Sequence, residues 1–309
     1  MSQIDRRFSL EHKRIILAVA FGLGGTFPCI VNPGIFPLFF PFLPNVLLSL
    51  SFLCQGKKSG IISSITLVVV VAAFGKNEML RNVFYFSLLP SFVVGYSMMR
   101  NVMANSKTWW YPESYVLRNL FLVAIISVLL LSLTVYSEVF LKKQAEEIAK
   151  IIFQDQLIIA RQFSTLYVKC LVGMSILSST LGTIFDFLVA HYVSCRLKIN
   201  IRPKIDLLNL SISPQIAAFP LAAFIAAASI QSISHICYGL VIAGLAMPLA
   251  VGFSIVHFYA DYQNNKIILY VFYGLLFLLF PLVIFLVATL GIFDSFYAIR
   301  PVEARKVKS

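Results

Sequence analysis

The feature that most constrains this chain is a series of continuous apolar runs separated by short polar and basic segments. They lie at 15–31, 35–54, 61–74, 83–98, 119–140, 167–192, 215–233, 236–258 and 267–293. A bilayer's hydrocarbon core is about 30 Å thick and takes roughly 20 helical residues to cross. Lipid offers no hydrogen-bond partner to the backbone, so only helices and closed barrels span it. A barrel would show alternating segments of about 10 residues, and these runs do not alternate. The expected fold is therefore all-α, a polytopic transmembrane helical bundle. Composition points the same way: 59% of residues are hydrophobic and 12% charged, against roughly 25% charged in soluble proteins. A soluble domain, a disordered chain and a disulfide-stapled secreted module are excluded.

The formal net charge is +12, from 25 Lys and Arg against 13 Asp and Glu. These cations sit between the apolar runs, which is how membrane proteins set their orientation. They form no basic stripe with interleaved aromatics, so the partner expected from charge is the lipid bilayer and not nucleic acid. The opening MSQIDRRFSLEHKR is basic, and no A-x-A-like cleavage site follows it. The first span is thus read as uncleaved, with a cytoplasmic N-terminus. The stretch 61–74 is short for a span and reads as re-entrant or interfacial. Leaving it out brings the basic tail (Arg300, Arg305, Lys306, Lys308) to the same side as the N-terminus. About eight spans follow, with nine as the alternative. In the eight-span arrangement the 100–118 loop lies outside.

Two connections are more than links. Residues 138–163 carry Ile148, Ile151, Ile152 and Ile159 at three- and four-residue steps among balanced charges, the pattern of an amphipathic surface helix. Residues 195–214 are polar with a proline near the middle. They suggest a front block, 1–166, with broken helices and the amphipathic helix, and a rear block, 167–309, with a basic cytoplasmic tail.

The front block concentrates helix breakers: Gly22, Gly24 and Gly25, then Pro28, Pro33, Pro37, Pro41 and Pro44. Proline removes a backbone donor and kinks a helix. Broken helices with freed backbone groups form binding sites near the midplane of many carriers, whereas two packed helices joined by a rigid turn would show the same residues. An ionisable group inside a span is costly and marks a functional hypothesis. Asp186, in LGTIFDFLVAHYV, is the clearest case, and with Asn45 and Pro44 it forms the candidate substrate-binding set. Ala18 and Gly22 are spaced as a small-xxx-small packing pair, and Gly244 and Gly252 flank Pro248 two turns apart. His191 and His257 fall near span ends. No metal-ligand spacing, nucleotide-binding motif or nucleophile elbow occurs, and the five cysteines are scattered. The expectation is a non-enzyme with no metal and no cofactor. Trp109, Trp110 and Tyr111 before Pro112 form an interfacial aromatic cluster.

Three segments, PLFFPFLPNVLL (37–48), WWYPESYVL (109–117) and VGFSIVHFYA (251–260) followed by LGIFDSFYAIR (290–300), resemble the YybS-like family of bacterial membrane proteins, a domain of unknown function. The closing pattern of Gly252, His257, Gly291, Asp294 and Arg300 is the most specific part of the resemblance. The resemblance implies a front block similar to the substrate-capturing S components of energy-coupling factor transporters. Those dock through small residues of the first helix onto a coupling subunit, the place held here by Ala18 and Gly22. Other membrane subunits, a coupling subunit or envelope proteins, are the partners it implies. The alternative is a non-catalytic structural scaffold of the cell envelope.

Overall fold

The computed structural model describes residues 3–30, 42–74, 77–104, 107–135, 157–203 and 205–300. The helices are α1 (Gln3–Ile30), α2 (Phe42–Gln55), α3 (Lys57–Phe74), α4 (Asn77–Val83), α5 (Leu89–Met98), α6 (Glu113–Val135), α7 (Leu157–Arg196), α8 (Pro214–Ser229), α9 (Ser234–Gly244), α10 (Ala246–Tyr262), α11 (Ile267–Leu278) and α12 (Phe280–Tyr297). Among the described residues the only strands form one antiparallel hairpin, β1 (Asn101–Ala104) with β2 (Lys107–Trp110), which pairs Val102 with Trp109. The hairpin corrects the all-α expectation locally. Pro33, Pro37, Pro41 and most of the amphipathic stretch 138–163 lie outside the described residues.

Among the described residues five helical stretches are long and apolar enough to cross a membrane: Lys57–Phe74, Glu113–Leu133, Gln162–Arg196, Gln231–Tyr262 and Phe280–Tyr297. That is not the eight expected, and the reasons are local. At 14 residues, α2 reaches only about 21 Å. The stretch 61–74, expected not to cross, belongs to one of the five. The last run, 267–293, is two helices instead of one span. It breaks at Leu279 (φ −124°, ψ 41°), with a proline opening α12. The Tyr259 hydroxyl donates to the Ile299 carbonyl, just past the end of α12, so α10 and α12 run in the same direction and α11 is the return between them.

The chain forms two compact units, and these follow contacts instead of chain order: unit 1 comprises 1–123 and 179–205, unit 2 comprises 124–178 and 206–309. The first and last parts of α7 thus belong to different units.

In unit 1, α1, α2, α3 and α5 pack together. Gly56 alone joins α2 to α3 and holds φ +90°, where a side chain would be strained. Its N–H closes the end of α2 on the Phe52 carbonyl. The Phe52 ring is fully buried between Gly60 and Gly95, and a Cβ at either would overlap it. Between α4 and α5 the chain makes one π turn, Phe84–Leu88. Pro90 has no N–H, so the Phe86 carbonyl loses its helical donor. The Ser179 hydroxyl from α7 supplies the missing bond at 2.7 Å.

One end of unit 1 gathers Arg14, the α2–α3 junction, the end of α5 and the hairpin around a shared cleft. Arg202 ties this end together. It donates to the Met98 and Tyr111 carbonyls at 2.7 and 3.0 Å and pairs with Glu113 at 2.8 Å. Burial pulls its pKa down, and Glu113 works against that. The 100–118 loop therefore shares its end with Arg14, which corrects its expected placement on the side opposite the N-terminus.

Unit 2 has its own arginine clasp. Arg300, 1% exposed, donates to the carbonyls of Leu208 (2.7 Å) and Leu210 (2.5 Å) and pairs with buried Asp294 at 2.5 Å. The helices beneath it touch backbone to backbone: a Cβ at Gly252 would overlap the Val287 carbonyl, and one at Gly291 the Pro248 carbonyl. Gly173 of α7 meets the backbone of Gly239 in the same way. Close helix approach through small residues is the usual solution where lipid supplies no driving force for association.

Candidate functional site

The front of unit 1 brings together two of the three residues proposed from sequence. Asn45 opens the second turn of α2, and Asp186 lies in the last third of α7. The Asn45 amide donates to an Asp186 carboxylate oxygen at 3.0 Å across 141 residues of chain. Asp186 is 1% exposed and Asn45 3%. No ion pair to Asp186 occurs among the described residues. A carboxylate in such surroundings depends on its few hydrogen-bond donors.

The polar atoms around this pair are incompletely satisfied. Asn45 Oδ1 has no partner. Thr183, one turn before Asp186, and Ser49, one turn beyond Asn45, are fully buried with unpartnered hydroxyls, as is Ser91 on α5. The buried Ser127 hydroxyl in unit 2 is also unpartnered, whereas several other helical hydroxyls close on their own helix. Those of Ser64, Thr66, Ser175 and Ser295 close on the carbonyl one turn back, at 2.8–2.9 Å. Buried polar groups are nearly always paired, and the unpaired ones of Asn45, Ser49, Ser91 and Thr183 lie on three helices of unit 1.

Pro44 is buried but supplies no polar group. It packs 3.5 Å from where a Gly25 Cβ would stand, and Leu67 lies on the same spot. Gly22 likewise sits against Ser63 and Thr66 of α3. The described part of 22–45 is thus closely packed at Gly22, Gly25 and Pro44. Ala18 is fully buried, and its carbonyl accepts the Ser63 hydroxyl at 2.6 Å. The Ala18–Gly22 face is therefore occupied by α3 of the same chain and offers no docking surface to a second subunit. Gly244 packs on Phe219 and Pro220 of α8, and Gly252 on α12.

The histidines have structural partners. His191 Nε2 accepts the Ile205 N–H at 3.3 Å, fastening the chain after α7, and His257 contacts the Tyr273 hydroxyl at 2.8 Å. Lys169 lies over the Tyr238 ring in unit 2. Among the described residues no three His, Cys, Asp or Glu side chains converge as a metal site would require. Sequence reasoning missed Arg202 and Gln55. The only signal for Arg202 was a lone arginine before a proline in a polar connection, and Gln55 stands at the edge of an apolar run. No protein-family model, curated protein or solved structure matches this chain.

Proposed function

We propose that this integral membrane protein captures a small solute in unit 1, in the manner of an S component, and that Asp186 and Asn45 hold it. The supporting observation is the fully buried Asp186–Asn45 pair, with the Asn45 oxygen and the hydroxyls of Thr183 and Ser49, each one turn away on the same helix, left unpartnered. Burying such groups without bonds costs about 1–3 kcal/mol each. A ligand bearing a hydrogen-bond donor, or a cation, would recover that cost. Asp186 acts as the charge that selects the solute and Asn45 as the group that orients the carboxylate. In this reading the role is transport and not chemistry. Without an ATP-binding motif, energy would come from another subunit, docked elsewhere than at Ala18 and Gly22. The end of unit 1 that gathers Arg14, Lys57, Lys58 and Arg202 faces the cytoplasm under the positive-inside rule, together with the N-terminus. The bacterial inner membrane and the YybS-like family fit this arrangement.

A second reading, a non-catalytic envelope scaffold, is favoured by the solid packing around Gly22 and Gly25. The two separate on mild-detergent purification of the full chain, followed by mass spectrometry of everything retained. A stoichiometric metabolite or a coupling subunit supports capture; envelope-assembly proteins with no metabolite support the scaffold.

A further inference from the structure

We infer that the cleft at the basic end of unit 1 is a binding site for a phosphate-bearing anion that also carries a hydrogen-bond donor. The cleft encloses about 440 Å³ and is lined by Arg14, Gln55, Lys57, Lys58, Ser59 and Trp110, among others. Three of its lining residues are cations and none is acidic. The first turn of α3 begins in it. The N–H groups of that turn have no intrahelical acceptor, and the helix dipole makes this end positive. The α2–α3 junction sets this up, because the single left-handed Gly56 turns the chain so tightly that α3 starts beside the end of α2.

Gln55 is the observation that points to a ligand. It lines the cleft, is 8% exposed, and neither its amide nitrogen nor its amide oxygen has a partner. A phosphate oxygen would accept from Gln55 Nε2 and the α3 amides, with Arg14 and Lys58 supplying countercharge. Gln55 Oε1 then requires a donor on the ligand. A hydrogen phosphate provides one, and so does a phospholipid headgroup with a hydroxyl or ammonium beside its phosphodiester. This cleft is separate from the Asp186–Asn45 pair, so the inference stands or falls independently of solute capture.

The chain's only two tryptophans, Trp109 and Trp110, lie on the hairpin at this cleft, so intrinsic fluorescence reports occupancy. The full-length protein in a non-ionic maltoside is titrated with inorganic phosphate and, separately, with dihexanoyl phosphatidylglycerol. Dihexanoyl phosphatidylcholine, which lacks a headgroup donor, is the control. A saturable response to phosphatidylglycerol alone identifies a lipid headgroup, and one to inorganic phosphate identifies a soluble phosphate. In either case Arg14→Gln and Lys58→Gln, both at exposed positions, weaken binding about fivefold each. Gln55→Leu weakens it further while raising the thermal midpoint of the ligand-free protein. Lys107→Gln, on the hairpin outside the cleft lining, leaves it unchanged. No saturable response to either probe overturns the inference. So does an equal response to phosphatidylcholine, or a response that Arg14→Gln and Lys58→Gln leave intact, or one that Lys107→Gln weakens equally.

Discussion

Replacing Arg300 by methionine keeps most of the side chain's volume and removes its charge and donors. The guanidinium donates to two main-chain carbonyls, of Leu208 and Leu210, and to the Asp294 carboxylate at 2.5 Å. It also reaches Ser254 Oγ at 3.4 Å. Both charged side chains are almost fully buried, at 1% and 2% exposure. The substitution therefore leaves a buried carboxylate and two carbonyls without their donor. Breaking one side of a buried ion pair costs about 3–5 kcal/mol, and Arg300→Met should fall in that range. Asp294→Asn keeps an acceptor for the arginine and should cost less, about 1–3 kcal/mol. The double variant removes the stranded charge, so it should be more stable than the sum of the single losses by about 2 kcal/mol. Equilibrium unfolding in mixed micelles, followed by circular dichroism, measures all three. Additivity within about 0.5 kcal/mol, or a loss below about 1 kcal/mol for Arg300→Met, would refute the reading of Arg300 as the clasp of unit 2.

Other substitutions test the backbone contacts. Gly252→Ala and Gly291→Ala place a methyl group on a carbonyl of the facing helix, and each should destabilise by about 3 kcal/mol, at the upper end of overpacking costs, in the same unfolding assay. Gly56→Ala forces a side chain into the left-handed region and should cost about 1–2 kcal/mol. Ser179→Ala strips the donor from the Phe86 carbonyl beside Pro90 and should cost about 1 kcal/mol; Ser175→Ala, whose hydroxyl only closes on its own helix, should change the midpoint far less.

The apolar runs made the helical membrane character legible, because hydrophobicity is a local property. Span number was less so, since it depends on where helices break. The Leu279 break falls inside an unbroken apolar run, while the π turn before Pro90 shortens a helix that composition alone would leave intact. The hairpin at 101–110 is too short and polar to carry a strand signal. Asp186 stood out as a charge in an apolar stretch, but its pairing with Asn45 across 141 residues is tertiary and has no local trace. The small-residue pairs indicated close approach; which helix meets Ala18 and Gly22 depended on the Gly56 turn, which lays α3 against α1. Gln55 was hidden because a glutamine at the end of an apolar run is ordinary until both its amide atoms prove buried and unpartnered.

The central claim is that Asp186 and Asn45 hold a solute and do not merely pack. Asp186→Asn preserves the shape and an acceptor for the Asn45 amide while removing the charge. Native mass spectrometry of the wild-type and Asp186→Asn proteins, purified side by side in mild detergent with folding checked by circular dichroism, tests the claim directly. The account predicts a small molecule retained at one per chain by the wild type and lost from a folded Asp186→Asn protein. A folded wild type that retains no small molecule, or a variant that retains the same one at the same stoichiometry, would contradict it.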